Sequence, residues 1–407
     1  MVILTPEYLL RISEGSEEIA EYLHVDIMNR LIERIMIRLN RGDDYILTSQ
    51  DKWQLEVLQE AGYLLEDIQQ EIAKRTKQQV QEIAEAFEDA GITTISYEDQ
   101  IYEAAGLSPI PLMESPYMIR LMQRTYDATL GEWKNFTRTL ATDTQQRFIR
   151  AMDKAYIDVA SGSKSYTQAF REAIEDVIND GVYVTYPSGQ KDTIETATLR
   201  CVRTGISQMS GQITDARMDE MQWDIIIVSS HLGARVTDND DYTNHSWWQG
   251  KFYSKSGKDK RFPPYSVCGE GKVQGIHGAN CRHSHGAGDG EHNPFIDYDS
   301  EENKKAYETE QRQRTLERRI RNTKRQVQGM QTAVKNCTDE KEKFKFQQNL
   351  DRKSYLLQKQ NKAYKEFCQE HNLKELNERI QIARWDRKQA ALARGAAQRY
   401  KNAKGID

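Results

Sequence analysis

Cysteine and proline are scarce in this chain, with 5 and 8 in 407 residues, and long apolar runs are missing. The cysteines, at positions 201, 268, 281, 337 and 368, are odd in number and irregularly spaced. That pattern excludes the disulfide framework of a small secreted domain and leaves thiols or metal ligands. No segment approaches the ~18 consecutive apolar residues that cross a bilayer. The N-terminal stretch MVILTPEYLLRISEGSEE has neither a basic n-region nor a long apolar h-region, so we expect a protein made and kept in a cytosol-like compartment, away from membrane. Hydrophobic residues reach only 38% against the usual ~45–50%, while charged residues reach 29% against ~25%. At ~150 residues per domain the length allows two or three domains. A chain this polar is expected to be elongated and helical, or to complete its burial against a partner.

The formal net charge of −5 conceals an asymmetry. Residues 301–407 hold 27 Lys+Arg and 15 Asp+Glu, a net of +12, whereas residues 1–100 hold 9 and 21, a net of −12. An acidic head and a basic tail point to a polyanion or an acidic protein surface at the basic end, or to a solvated helical arm.

Residues 15–41 predict an amphipathic helix, with Ile19, Leu23, Ile27, Leu31 and Ile35 every four residues and Met28, Ile32 and Met36 widening the stripe. Gly42 and the Asp43-Asp44 pair end it. A longer helix is expected from about 49 to 90, interrupted near Gly62 and closed by Gly91. Helix resumes over 97–156, broken at LSPIPLMESP, because Pro109, Pro111 and Pro116 cannot all lie within a helix. A helix from Ser165 to about Ile178 stops at Asp180-Gly181 and is followed by a short strand, a Pro-Ser-Gly turn and a second polar strand or loop. Another helix spans about 196–221, and IIIVSS at 225–230 is the clearest buried strand. Residues 231–298, rich in Gly, His, Trp and Tyr, form an irregular region of the length usually reserved for function. In the tail Leu316, Ile320, Thr323, Val327, Met330, Val334 and Cys337 alternate steps of four and three, a heptad seam. Asp339 with Glu342 caps the next helix. The tail is thus a helical hairpin or an intermolecular coiled coil, followed by a third helix over about 373–400.

The chemically informative residues lie between 230 and 285. His231, Gly233 and Arg235 (H-x-GAR) follow the buried strand. His245 leads into Trp248, Gln249, Gly250, Lys251 and Tyr253 (WQGK-x-Y), and Asn280, Cys281, Arg282 and His283 close the block as G-x-NCRH. This order resembles the phage minor capsid protein 2 family and, more distantly, the Mu F-type head morphogenesis proteins, closely over about 170–290 and with the basic tail outside the motif. The resemblance implies a virion protein of a tailed bacteriophage, encoded beside the portal, bound to it during head assembly, and involved in DNA packaging and genome ejection. Such proteins are not known as enzymes in their plain form. Some relatives carry C-terminal toxin domains, but residues 301–407 offer no strand pattern or His/Glu/Ser constellation of that kind.

Two readings of the central residues stay open. Cys268, Cys281, His283 and His285, with His231, His245 and His277 in range, supply the nitrogen and sulfur donors of a structural zinc site, although the pairs are tighter than usual and no C-x₂-C knuckle is present. Alternatively His231, Arg235 and His245 bond loop carbonyls, Trp247, Trp248 and Tyr253 form core, and the cysteines are small apolar residues. His231, Asp238, His245 and Lys251 could serve as general base, orienting acid and charge stabiliser in the manner of metal-independent nucleases, and a metal-dependent nuclease or toxin-like enzyme carried in the virion is the competing class. A Cys281-His283 nucleophile is disfavoured, since i,i+2 residues on an extended segment stand ~6.5–7 Å apart.

We therefore expect a predominantly helical α+β protein in three regions: 1–165 acidic helical, 166–298 a small α+β domain carrying the motifs, and 299–407 basic helices. It is a structural head protein with no catalytic residues. Its expected partners are portal protein, major capsid or scaffolding protein, further copies of itself, and packaged double-stranded DNA gripped without sequence preference through the tail. It resides in the virion, and in host cytoplasm during assembly.

Overall fold

The computed structural model describes residues 4–406. Residues 1–3 and 407, assigned from sequence to the first and last regions, lie outside the described residues. The fold is α+β and predominantly helical, as expected. Helices α1 (Pro6–Arg11), α2 (Glu14–Leu39), α3 (Gln50–Ala104), α4 (Pro116–Ala160) and α5 (Tyr166–Asp180) precede a hairpin of β1 (Tyr183–Thr185) and β2 (Lys191–Thr193). Helix α6 (Ile194–Glu220) leads to β3 (Ile225–Val228), α7 (His245–Trp248), β4 (Phe252–Ser254) and β5 (His285–Ala287). The tail holds α8 (Ser300–Asn336), α9 (Glu340–Glu370) and α10 (Arg387–Lys404).

Two sequence expectations for α3 are corrected: neither Gly62 nor Gly91 ends it, and it continues to Ala104. A Cβ at Gly91 would stand 2.8 Å from the Met122 methyl, the far end of a side chain that can move aside, so the glycine carries the ~1 kcal/mol propensity cost of a helix interior. Gly62 meets nothing within 4 Å and carries only the propensity cost. Pro116 occupies the first position of α4, where its missing N–H costs nothing. Ser165 caps α5 by accepting from Gln168 N, and Gly181, at φ 71°, ends it.

The described chain divides into two compact units, each built from three separated stretches: residues up to Glu17, Lys77–Lys134 and Thr198–Arg312, and residues Glu18–Thr76, Asn135–Ala197 and Gln313–Asp407. Each of the three regions drawn from sequence contributes to both.

The first unit holds the central sheet, antiparallel in the order β4-β3-β5, with Ile226 paired to Tyr253 on one side and to Ala287 on the other. β3 is the strand legible in IIIV. Its partners arise inside what the sequence presents as irregular. Ile226, Val228, Trp248, Tyr253, Tyr265 and Cys268 form one buried cluster. Phe87, Leu121, Val202, Ile206 and Met209 belong to another.

The second unit is helical apart from the β1-β2 hairpin. The stripe of α2 is fully used, with Leu23, Ile27, Leu31 and Ile35 all inaccessible. Ile320, Val327 and Met330 of the α8 seam are buried too, and Gly329 lies against Ile32 of α2 and Ile178 of α5. The seam is therefore packed against its own chain. Asp339 caps α9 through the Glu342 amide at 2.9 Å, as the sequence predicts. The third tail helix starts at Arg387, not near 373. Positive φ at Asn372 and Arg384 breaks the intervening chain, and Asp386 caps α10 through Gln389 N at 2.8 Å.

At the centre of this unit Arg325, buried at 3% exposure, bonds both Glu21 and Glu195, the latter at 2.6 Å. Glu195 also accepts from His24 Nδ1 at 3.0 Å, and His24 Nε2 accepts the Val182 N–H at 3.2 Å. That pattern fixes a neutral imidazole, in keeping with burial pushing the His24 pKa down. Burial pushes Glu21 up to about 7. The same force on Glu195 is outweighed by Arg325 and His24, which hold it well below the usual carboxylate range.

Candidate functional site

The three motif blocks converge in the first unit. β3 delivers Ser229, whose N–H donates to the Ser284 carbonyl at 2.9 Å and whose carbonyl accepts from Gly250 N at 3.4 Å. His231 is thereby brought beside both the WQGK and the NCRH segments. Gln249, only 5% exposed, joins all three: its Oε1 accepts the His231 backbone N–H at 3.0 Å and His283 Nε2–H at 3.0 Å. Because a backbone N–H can only donate, the Gln249 oxygen must face it. His283 Nε2 must then carry a proton.

The remaining motif residues are mostly clamps. Arg235 donates to the carbonyls of Gln274 at 3.1 Å and Ala279 at 2.9 Å, while buried His245 Nε2 donates to the same Gln274 carbonyl at 2.8 Å. Arg282 donates to the Gly233 carbonyl at 3.1 Å and to Glu310 at 3.0 Å. Gly233, at φ 78°, and Gly250, at φ 67°, take backbone conformations that favour glycine, and Asn280 stands at φ 61°. Trp248 and Tyr253 are core, and the Tyr253 hydroxyl donates to the Trp248 carbonyl at 2.6 Å. Trp247 is 37% exposed, which corrects its assignment to the core; its carbonyl receives Lys251 Nζ at 2.6 Å. Of the nuclease set, Asp238 and Lys251 stand exposed while His245 is buried on its peptide carbonyl.

The metal-ligand expectation is redrawn. Of Cys268, Cys281, His283 and His285, the structure brings together only Cys281 and His283, and adds His245; ligand atoms of these three buried residues lie within 4.8 Å of one another. His231 stacks on His283 with ring centroids 4.5 Å apart, and Trp248 meets its edge at 4.8 Å. Cys281 Sγ is 3.7 Å from His283 Nδ1, which corrects the extended-chain separation inferred from sequence. Left-handed Asn280 turns the chain, and the sulfur accepts the His283 N–H at 3.4 Å. Burial holds the His245 pKa down to about 4 and that of His283 well below the ordinary imidazole value, so both rings are neutral. Burial also pushes the Cys281 thiol up.

Cys268 sits fully buried in the apolar cluster around the sheet. His285, on β5, joins a different network: its Nδ1 is 2.8 Å from both the Tyr265 hydroxyl and His277 Nε2, His277 Nδ1 is 2.8 Å from Ser207 Oγ, and its Nε2 is 3.6 Å from Asp215. The order Ser, His, His, Asp resembles a nucleophile relay, but Ser207 is 2% exposed and shut off from a reactant. Burial pushes His277 down to about 3.

Glu98 of α3 is 1% exposed and accepts from the Thr214 hydroxyl at 2.5 Å. Burial pushes its pKa up from 4.5 to about 8. A carboxyl whose folded pKa is raised gives stability below its unfolded pKa and loses it as pH rises through the folded one. At ~1.4 kcal/mol per unit, Glu98→Gln should match the wild type near pH ~4.5 and exceed it by roughly 2–5 kcal/mol above pH ~8. Urea unfolding midpoints at the two pH values check this, and a difference that does not change with pH rules it out.

Several site residues carry no sequence signal. Asn303, in the first turn of α8 and fully buried, accepts the N–H groups of Gly233 and Ala234 at 2.9 and 3.0 Å and donates to the Ala234 carbonyl at 3.0 Å. Gln274 acts only through its backbone, and Glu310 lies in a charged helix like any other glutamate.

A mostly helical chain whose sparse sheet supports a motif-built set of loop clamps is architectural in character. Residues 4–356 match the family described as Phage minor capsid protein 2, and the chain belongs to that family. The match reaches well beyond the 170–290 stretch that carries the motif resemblance and includes α8 and part of α9. No curated protein and no solved structure matches the chain. No helix among the described residues is long and apolar enough to cross a membrane.

Proposed function

We propose that this minor capsid protein works inside the phage head as a structural component without enzymatic activity, docking on the portal through its acidic helices and touching packaged DNA through the basic tail. The observation that carries the reading is an unusual surface on the acidic helices. Ile37, Leu55, Leu58 and Tyr63 are 58, 70, 57 and 49% exposed. An open groove of about 520 Å³ lies between α2 and α3, lined by Ile37, Tyr45 and Tyr63 with Arg34, Glu56 and Glu60. Large apolar side chains rimmed by charge suit a protein partner. Much of the acidic charge on these helices is already matched internally, as in Arg34–Asp67 at 3.0 Å and Arg38–Glu60 at 2.9 Å. The apolar surface is thus left as the main docking feature.

The DNA contact is supported by α9 and α10, where Arg352, Lys359, Arg387, Lys388 and Arg394 are exposed. Two tail cations, Lys324 and Arg325, are buried and unavailable. The test is co-expression of the full chain with portal protein. Wild type should co-purify with the portal ring and Leu55→Glu/Leu58→Glu should not, since exposed positions can be changed without unfolding the chain. Retention of the double variant removes the docking face. In gel shifts the wild type should retard duplex DNA at low salt with affinity falling steeply as salt rises, and charge reversal of Arg387, Lys388 and Arg394 should weaken it. No shift at low salt removes the DNA contact.

A further inference from the structure

We infer that His245, Cys281 and His283 form a zinc site that ties the WQGK segment to the NCRH segment. The separation of Cys281 Sγ and His283 Nδ1, 3.7 Å, is close to the ~3.5–3.6 Å that two donors span around a tetrahedral zinc with Zn–S ~2.3 Å and Zn–N ~2.0–2.1 Å. The proton positions on the imidazoles are those of metal ligands. His245 gives its Nε2–H to the Gln274 carbonyl and His283 gives its own to Gln249 Oε1, and such outer contacts hold the opposite nitrogen, Nδ1, deprotonated as a donor. The Gln274 carbonyl and the His231 amide leave no other assignment. Cys281 Sγ accepts the His283 backbone N–H at 3.4 Å, a contact that favours thiolate over thiol. All three residues are buried, at 2, 7 and 0% exposure, and their ligand atoms lie within 4.8 Å of one another.

The set differs from a knuckle of closely spaced cysteines. Its members are brought together by the Ser229–Ser284 and Gly250–Ser229 backbone bonds and by the left-handed turn at Asn280. Binding would expel the Cys281 proton and leave the imidazoles neutral. The fourth tetrahedral position falls to a ligand from outside the three.

The full chain, expressed with zinc in the medium and dialysed against metal-free buffer, should contain about one zinc per chain by plasma mass spectrometry. Cys281→Ser and His283→Gln should each lower that content at least tenfold, and Cys268→Ala should leave it unchanged. Cobalt titrated into the metal-stripped wild type should give a sulfur-to-cobalt charge-transfer band and tetrahedral d–d absorption that saturate at about one equivalent. That measurement stands even if a variant fails to fold. Wild type without zinc and without the cobalt band, a Cys281→Ser chain that keeps full zinc, or a Cys268→Ala chain that loses it overturns the assignment.

Discussion

Arg325→Met is expected to destabilise the protein by about 3–5 kcal/mol, because it leaves Glu21 and Glu195 buried without their shared cation. Both carboxylates are nearly inaccessible, at 5 and 1% exposure, and the guanidinium holds one on each side. Methionine matches the aliphatic stem, so little of the loss comes from packing. Arg325→Lys should recover only part of it, since a single ammonium cannot reproduce a planar fork that reaches two acceptors. The sign of the pH dependence is fixed by Glu195. Its folded pKa lies below the usual range, so its contribution is present above the unfolded value and is lost as pH falls. The deficit of Arg325→Met should therefore be largest at and above neutral pH and shrink as pH falls toward ~4, because the buried carboxyls left without their cation take up protons in the folded variant whereas Glu195 of the wild type stays ionised. Denaturant midpoints across this range measure it. A variant within about 1 kcal/mol of wild type at pH ~7 would show that the network contributes no net stability.

Which features could be read in advance follows from how local their causes are. The α2 stripe, the Asp339 cap and the IIIV strand depend on neighbours within a few residues, and each stands where the sequence puts it. Gly91 does not stop α3: it is not among the glycines at positive φ, so the left-handed stop that the sequence suggests is not formed and the helix runs on to Ala104. β4 and β5 are three residues each, and His-Gly-Ala carries no alternation from which a strand could be inferred. The motif blocks were legible as candidates, and His231, Arg235 and His245 each stand within hydrogen-bond distance of a loop carbonyl. Their grouping was not legible: one left-handed residue, Asn280, separates an extended Cys281-x-His283 from one whose sulfur touches the ring. The heptad seam of α8 was visible as a pattern, but not its partner, since an apolar stripe looks the same whether α2, α5 or another copy covers it.

Asn303→Ala should cost about 3–5 kcal/mol, although residue 303 looks like an ordinary polar position at the start of a charged helix. Its side chain makes three hydrogen bonds to the backbone of two consecutive residues, Gly233 and Ala234, and all three residues are buried. Alanine strands two N–H donors and one carbonyl at ~1–3 kcal/mol each, with some relief as the loop relaxes. Asn303→Asp separates the contributions. Its carboxylate still accepts both N–H groups, but the second oxygen then faces the Ala234 carbonyl, an oxygen against an oxygen. Protonation turns that oxygen into a donor and restores the third bond. Asn303→Asp should therefore be destabilised at neutral pH and recover toward wild type as pH falls, the behaviour of a carboxyl whose folded pKa is raised. The local readout is hydrogen exchange. Peptides covering 231–236 should lose protection in Asn303→Ala, whereas peptides of α9 should keep theirs. If protection over 231–236 is unchanged, the His231-Leu232-Gly233-Ala234-Arg235 turn is held by Arg235, Arg282 and the Gln249 bond to His231, and its geometry does not depend on the first turn of α8.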